Sequence, residues 1–229
     1  MVKIPATKEG SPAIEEALAE GININITLIF SMRQYNAVVD AFFRGVERAP
    51  NPAGLASVAS VFVSRLDTAV DHELENIGTP EALALQGKAA IANARLIYRR
   101  FREIFDSPRF TSLRARRIRP QRVLWGSTGA KNPAYPDLTY VEELIGPDTI
   151  NTVPPKTLHA LQDHGRIRGA TVTDGWAEAE SVLQRIRTFG VDFDAVLERL
   201  ESEGVSAFGR SLEKLIETLD HKRPVAVHS

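Results

Sequence analysis

The sequence predicts an α/β fold built on a parallel sheet, and three observations indicate it. Five short apolar segments with strand character are each followed by a segment with helical periodicity. The first two strands are joined by one short helix with few connecting residues, which requires a parallel pair and a right-handed crossover. The chain has 229 residues, of which 43% are hydrophobic, and this is enough for a substantial core.

The first βαβ unit opens the chain. Residues 2–6 form a short apolar strand. Ser11 and Pro12 then supply a helix N-cap and a first helical residue, and Gly21 supplies the C-cap. Residues 22–29 alternate apolar and polar side chains and form the second strand.

Polar residues occupy positions where a covered strand is usually apolar. Lys3 interrupts the first strand, while Asn25 and Thr27 share one face of the second, because side chains repeat every two residues. Parallel strands are usually covered on both faces, so we expect these side chains to line a cavity. A Lys buried there has a depressed pKa and is a nucleophile toward carbonyl groups. The alternative is a Lys3 at a frayed terminus whose ammonium group reaches water.

The other elements follow from periodicity and capping signals. Three further strands are predicted at residues 57–64, 122–126 and 149–153. Helices are predicted at residues 35–46, 66–68 with the residues after them, 79–105, 140–145, 154–161 and from about 174 onwards.

Two segments that follow strands have the chemistry of a phosphate site. Arg65 begins the segment after the third strand, where a guanidinium can bind a phosphate bidentately; a surface salt bridge is an equal alternative. The turn G-S-T-G-A-K-N at residues 126–132 offers backbone N–H groups, hydroxyls and a Lys. That signal is weak by itself, because the spacing is not that of a P-loop.

Composition excludes several classes of function. With 28 Lys and Arg against 29 Asp and Glu, the chain is not a general binder of nucleic acid or anionic membranes. It has no Cys, and its five His residues show no metal-ligand spacing, so we expect no metal and no disulfide. No apolar run approaches the roughly 20 residues of a membrane helix, and no signal peptide is evident, so we expect a cytoplasmic protein. The Arg-rich residues 109–122 fit a solvated loop better than a nucleic-acid patch, because no aromatic residues are interleaved for base stacking.

The first unit resembles the transaldolase family. V-K-I-P-A-T at residues 2–7 and G-I-N-I-N-I-T-L-I-F-S at residues 21–31 are similar to that family's Schiff-base strand and the strand after it. The resemblance implies that Lys3 forms the Schiff base with a ketose phosphate. It also implies that Asn25 holds a substrate hydroxyl and that Thr27 holds a catalytic water.

The resemblance extends along the chain. Ser60, Phe62 and Arg65 match the family pattern S-x-F-x-x-R, in which the Ser contacts substrate and the Arg contacts its phosphate. It also implies Ser127 and Lys131 as phosphate contacts, although some members carry an Arg where this chain has Lys131. No cofactor is implied, because the iminium group serves as the electron sink.

The resemblance also implies the architecture. In this family the Schiff-base lysine lies on the fourth strand of a (β/α)8 barrel, so the chain resembles the C-terminal part of a transaldolase, from that strand onward. We therefore expect a partial TIM barrel of strands four to eight with C-terminal helices. The expected division is βα units at residues 1–165, helices packing on the barrel at 166–222 and a loose tail at 223–229. The family's two proton-transfer carboxylates, an Asp on strand one and a Glu on strand three, would lie outside the chain.

The implied reaction transfers a dihydroxyacetone unit from sedoheptulose 7-phosphate to glyceraldehyde 3-phosphate, in the non-oxidative pentose phosphate pathway. Erythrose 4-phosphate and fructose 6-phosphate are the products. The implied partners are sugar-phosphate substrates, without nucleic acid or membrane; a homodimer and a fusion to another sugar-phosphate enzyme domain stay open. The alternatives are an inactive fragment, a partial barrel that only binds sugar phosphates, and a transaldolase-like aldolase that releases the three-carbon unit to water.

Overall fold

The computed structural model describes residues 1–222, and its centre is a five-stranded parallel sheet. The strands are β1 (Val2–Pro5), β2 (Ile24–Ile29), β3 (Ser57–Phe62), β4 (Arg122–Gly126) and β5 (Thr149–Asn151). Each strand pairs with the next one in sequence, in the order β1-β2-β3-β4-β5. This order is typical of barrel-like sheets, and it confirms the predicted α/β class.

Helical segments connect the strands. In the described residues they are α1 (Gly10–Ala19), α2 (Met32–Arg48), α3 (Ser64–Ile77), α4 (Pro80–Leu83), α5 (Ala89–Phe105), α6 (Pro108–Ala115), α7 (Thr139–Glu142), α8 (Pro155–His164), a 3₁₀ turn (Thr171–Thr173), α9 (Trp176–Thr188) and α10 (Phe193–Lys222). None of these helices has the length and apolar character needed to cross a bilayer. The five predicted strands are confirmed, with ends that differ by no more than two residues.

Alternation along the strands separates an apolar face from a polar one. Residues at most 1% exposed form the apolar face that packs under the helices: Ile24, Ile26, Ala59, Val61, Val123 and Trp125. The opposite parity places Lys3, Asn25 and Ser60 together on the other face. Burying each large apolar side chain contributes about 1.5–3 kcal/mol. A one-residue slip would turn all of them outward, so the register that places the polar residues is strongly specified.

The start of α1 differs from the prediction. The helix begins at Gly10, and Ser11 is not its N-cap; instead the Thr7 hydroxyl accepts a hydrogen bond from the Gly10 N–H at 3.0 Å. A Cβ at Gly10 would lie 2.1 Å from the carbonyl oxygen of Pro5. The connection from β1 is so tight that only glycine allows the helix to begin there.

The long helix predicted at residues 79–105 is divided into α4 and α5. Thr79 caps α4 as predicted, because its hydroxyl accepts a hydrogen bond from a backbone N–H of the first turn at 3.2 Å. The helix is then interrupted before Gly87, whose φ is +70°. The Gly87 N–H donates to the carboxylate of Asp71 at 2.9 Å, so a distant side chain stabilises the break.

The helices after residue 166 pack on the outer layer of the fold. α9 lies on α5, while α10 lies on α3 and reaches β2, where a Cβ at Gly204 would be 2.8 Å from the Leu28 side chain. Beyond that contact α10 has an exposed apolar stripe, Val205, Phe208, Leu212, Leu215 and Leu219. The tail predicted at residues 223–229 lies outside the described residues.

The Arg-rich stretch at residues 109–122 contains most of α6 and the segment that enters β4. It therefore lies at the amino-terminal edge of the sheet. Arg109 pairs with Glu47 at 3.1 Å, and its guanidinium lies 4.2 Å from the ring centroid of Phe43. The stretch is remote from the carboxyl ends of the strands, where α/β sheets of this type bind their substrates.

Candidate active site

Three predicted site residues, on β1, β2 and β3, lie together on one face of the sheet. The sheet register pairs Lys3 with Asn25. The Ser60 hydroxyl donates to the Asn25 side-chain oxygen at 2.6 Å. Paired residues on neighbouring strands point to the same side. Asn25 pairs with Val58 on β3, and Ser60, two residues further along, shares that side, so Lys3, Asn25 and Ser60 form a row across one face of the sheet. Because Ser60 occupies the amide oxygen, the amide NH₂ of Asn25 is oriented as a donor.

Lys3 itself is not enclosed. Its side chain is exposed on β1, which lies at one edge of the sheet in the described residues. The expectation that Lys3 is buried and lines a cavity is therefore wrong for the described residues, because Lys3 is exposed and β1 has a neighbouring strand on one side only. The ammonium lies 5.3 Å from the ring centroid of Phe208 in α10, a cation–π contact. α10 thus contacts the exposed side chain of Lys3.

Thr27 lies beside this row and is 2% exposed. Its hydroxyl has no hydrogen-bond partner among the described residues. The register of β2 shifts between Ile26 and Ile29, and Leu28 has a φ of +61°. A positive φ at a bulky residue is strained, and a bulge re-aims the neighbouring side chains. A buried hydroxyl without a protein partner can hold a water molecule or a substrate oxygen.

The end of β3 supplies Phe62 and Arg65. A Cβ at Gly126 on β4 would lie 3.2 Å from the Phe62 ring, so the glycine leaves room for that ring. Arg65 lies in the first turn of α3, so the helix predicted from residue 66 begins two residues earlier, at Ser64. Its guanidinium carbon is 5.5 Å from the Phe62 ring centroid. This cation–π contact helps to hold the exposed Arg65 side chain at the carboxyl-terminal edge of the sheet.

The segment after β4, residues 127–138, is called the β4 loop. Ser127 has a φ of +54°, and its carbonyl accepts a hydrogen bond from the Ser64 N–H at 2.9 Å. The Thr128 hydroxyl donates to the Asn151 side-chain oxygen at 2.8 Å. The start of the loop is thus attached to the first residue of α3 and to the end of β5. Such strained positions are common at binding sites.

Two cationic side chains lie at the carboxyl-terminal edge of the sheet and have no carboxylate partner among the described residues. Arg65 and Lys131 are both exposed, and neither takes part in an ion pair among the described residues. The two residues follow adjacent strands. The arrangement is suited to a phosphate, because both cations keep their donors available.

A cluster that the sequence reasoning missed lies beside the β4 loop. Asp67 and Asp71, one turn apart on α3, accept hydrogen bonds from the hydroxyls of Tyr140 and Tyr135 at 2.7 Å and 2.5 Å. With Lys131 they line a cavity of about 270 Å³. The sequence contains only a weak signal for this cluster. Asp67 and Asp71 lie next to the apolar stripe Leu66, Val70 and Leu74 of α3, and this position indicates that the two carboxylates are partly buried.

Asp67 gives a prediction about pH. Burial raises the pKa of its carboxyl from 3.8 to about 7, against the hydrogen bonds from Tyr140 and Ala90, which lower it. The folded state therefore binds this proton more tightly than the unfolded state. The contribution of Asp67 to the free energy of unfolding should fall as pH rises from about 4 to about 7. Asp67→Asn should remove that fall, as measured by urea unfolding at several pH values. The exposed Asp174→Asn is the control, and parallel curves for wild type and Asp67→Asn would contradict the prediction.

Comparison with known proteins identifies the family. A family model described as Transaldolase/Fructose-6-phosphate aldolase matches residues 1–219. The chain belongs to this family. The resemblance read from the first βαβ unit is therefore confirmed.

Curated relatives named Transaldolase support the same conclusion. That of Acidothermus cellulolyticus is 53% identical over 218 residues, covering 93% of this chain and 58% of the relative. Those of Frankia alni and Thermobifida fusca are 50% and 51% identical, each covering 95% of this chain and 60% of the relative. The chain thus spans about 60% of the length of the relatives that it matches.

The roles assigned to individual residues of this transaldolase-family chain stay predictions. The contacts show Lys3, Asn25 and Ser60 in one row, with Thr27 two residues after Asn25 on β2. Phe62 and Arg65 lie together at the end of β3. Ser127 and Lys131 follow β4, the strand next to β3. All eight predicted site residues therefore belong to the four consecutive strands β1–β4 and the segments that follow them.

Proposed function

We propose that the chain carries the Schiff-base and phosphate-binding half of a transaldolase. The proposed reaction transfers a dihydroxyacetone unit from sedoheptulose 7-phosphate to glyceraldehyde 3-phosphate, within the cytoplasmic pentose phosphate pathway. The observation that carries the proposal is the row of Lys3, Asn25 and Ser60 beside the unpartnered hydroxyl of Thr27. A primary amine next to oriented hydrogen-bonding groups can form an iminium with a ketose.

We further propose that β1–β5 correspond to strands four to eight of an eight-stranded barrel. The sequential parallel order and the coverage of about 60% of each relative support this. In the described residues β1 and β5 each have a single neighbouring strand. The "closed form" below means residues 1–229 joined to the remaining part of the Acidothermus cellulolyticus relative, which would supply the other three βα units.

In the proposed mechanism the neutral amine of Lys3 attacks the C2 carbonyl of the ketose phosphate. The resulting carbinolamine loses water and becomes an iminium. Loss of the C4 hydroxyl proton then breaks the C3–C4 bond, releases the aldose and leaves the electron pair in an enamine on Lys3. The enamine adds to the acceptor aldehyde, which takes up a proton, and water cleaves the new iminium. No cofactor is required, because the nitrogen accepts and returns the electron pair.

The polar neighbours have distinct roles in this mechanism. The Asn25 amide, held by Ser60, donates to a substrate hydroxyl, which favours the reactive orientation. Thr27 holds the water that is lost and regained at the iminium. The proton transfers belong to the Asp and Glu that the family resemblance places on strands one and three. Such groups each contribute about 10²–10⁴-fold to rate.

The phosphate end of the substrate is assigned to Arg65, Ser127 and Lys131. In the closed form Arg65→Ala should raise KM for fructose 6-phosphate about 10- to 100-fold, because a charged hydrogen bond contributes about 1.5–3 kcal/mol. Lys131→Ala should act alike but more weakly. Arg116→Ala, an exposed Arg that precedes β4, is the matched control. Steady-state kinetics measure the effect, and an unchanged KM in Arg65→Ala would show that Arg65 is only a surface residue.

Borohydride trapping tests the proposal directly. The closed form is incubated with fructose 6-phosphate and reduced, and the modified peptide is located by mass spectrometry. We expect a three-carbon adduct on Lys3. An adduct on a different lysine would disprove the assignment.

A second candidate activity is release of the three-carbon unit to water. The exposure of Lys3 favours it, because an enamine on an open face is accessible to protonation and hydrolysis. The name of the matched family also includes a fructose-6-phosphate aldolase. Product analysis with and without erythrose 4-phosphate separates the two activities: an aldolase forms free dihydroxyacetone from fructose 6-phosphate without the acceptor.

A further inference from the structure

We propose that the pairs Asp71–Tyr135 and Asp67–Tyr140 position the β4 loop, and with it Lys131, for binding the substrate phosphate. The inference rests on the proposed function, because it takes Lys131 as a phosphate ligand. Neither aspartate has a role in the Schiff-base chemistry. The four residues act through Lys131 and are positioning residues.

The aspartates belong to a rigid element that also carries Arg65. α3 begins at Ser64, directly after β3, so Arg65 and Asp67 lie in the same first turn. Asp67 and Asp71 are 1% and 6% exposed and point to one side of the helix. Whatever they hold is therefore fixed relative to Arg65.

The tyrosines belong to the end of the β4 loop and to α7. The Tyr135 ring packs on the backbone of Gly87, since a Cβ there would lie 2.9 Å from the ring. The Gly87 N–H donates to the same Asp71 carboxylate that accepts from Tyr135. The Asp67 carboxylate likewise accepts from both Tyr140 and the Ala90 N–H. Each aspartate thus joins α3 to the segment after β4; Asp71 also binds Gly87, just before α5, and Asp67 binds the first turn of α5.

Lys131 lies between two anchor points of the loop. Thr128 is hydrogen-bonded to Asn151 on the amino-terminal side of Lys131, and Tyr135 is hydrogen-bonded to Asp71 on the carboxyl-terminal side. Lys131 lines the same cavity as Asp71 and Tyr135. A loop that is already ordered does not lose conformational freedom when it binds phosphate, so the anchors should favour binding of phosphorylated substrates and leave bond making at Lys3 unaffected.

The test uses Tyr135→Phe in the closed form, which removes one hydroxyl and keeps the ring. We expect KM for fructose 6-phosphate to rise about three- to tenfold, with kcat within twofold. The dihydroxyacetone concentration that gives half-maximal borohydride trapping should not change, because that ketose has no phosphate. Tyr98→Phe is the matched control: Tyr98 is buried, and its hydroxyl also donates a hydrogen bond, to the Pro147 carbonyl at 3.0 Å.

A conservative variant separates positioning from general stability. In Asp71→Asn the remaining oxygen can still accept from Gly87, while the NH₂ group can donate to the Tyr135 hydroxyl. Its KM for fructose 6-phosphate should stay near the wild-type value, whereas Asp71→Leu should raise it as Tyr135→Phe does. Amide hydrogen exchange at residues 127–134 should become faster in Tyr135→Phe and in Asp71→Leu only.

The outcomes distinguish the two proposals. Unchanged exchange of the β4 loop in Tyr135→Phe, or an equal loss of affinity for dihydroxyacetone, overturns the positioning role whether or not Lys3 is trapped. Absence of an adduct on Lys3 overturns the proposed function. Faster exchange with an unchanged KM for fructose 6-phosphate also overturns the positioning role, because the loop would then be anchored for stability alone.

Discussion

Replacing Lys3 by Met in the closed form should lower turnover by about 10⁴–10⁶-fold, the loss typical of removing a nucleophile from covalent catalysis. The structure offers no substitute in the row, because Asn25 and Ser60 cannot form an iminium. The fold should be retained. The Lys3 side chain makes no hydrogen bond or ion pair among the described residues, so its replacement leaves no partner group there unpaired. Met keeps the length and apolar stem of the side chain.

Lys8→Met is the matched control, because Lys8 is an exposed lysine in the connection between β1 and α1. It should retain wild-type turnover and should still yield the borohydride adduct on Lys3. Turnover is measured by coupling the product to a dehydrogenase, and the fold by thermal unfolding. Substantial turnover in a folded Lys3→Met variant would mean that the reaction does not pass through an iminium at this residue.

The row of polar residues could be predicted because it depends on local periodicity and on the parallel pairing of strands that are neighbours in sequence. Alternation placed Asn25 on the face opposite to Ile24 and Ile26, and parallel pairing then aligned it with Lys3. The strand positions followed from the same signal. The glycine-rich turn after β4 could also be located, although nothing in its sequence indicated the left-handed φ of Ser127.

Other features depend on contacts between distant parts of the chain and could not be predicted. Tyr135 is 64 residues from Asp71, so no local pattern relates them. The break between α4 and α5 is stabilised by the same aspartate. The bulge at Leu28 belongs to the pairing of β2 with β3. The exposure of Lys3 depends on what lies beyond the edge of the sheet, which the residues of β1 do not encode.

The polypeptide of residues 1–229, produced by itself, should associate with itself and have little or no turnover. In the described residues β1 and β5 leave one edge each without a partner strand, and unpaired edges favour aggregation. The apolar stripe of α10 adds to this, since Val205, Phe208 and Leu212 are 41%, 45% and 58% exposed. An open face beside Lys3 is also accessible to water. Because the proposed Asp and Glu would be absent, two contributions of about 10²–10⁴-fold each would be lost.

The measurement compares this polypeptide with the closed form at equal concentration. We expect the polypeptide alone to show concentration-dependent mass by light scattering and a broad thermal transition. Its turnover should be at least about 10⁴-fold lower, because the missing acid and the missing base each contribute at least about 10²-fold. The closed form should be monodisperse and melt cooperatively, because added strands would pair with both edges and complete the acid–base groups. The Lys3→Met variant of the closed form is the control that keeps the structure and removes the nucleophile. Its thermal unfolding should match that of the closed form, and its turnover should be as low as that of the polypeptide alone. Near-normal turnover by residues 1–229 alone would show that the acid and base are supplied within them, and that an eight-stranded barrel is not needed for catalysis.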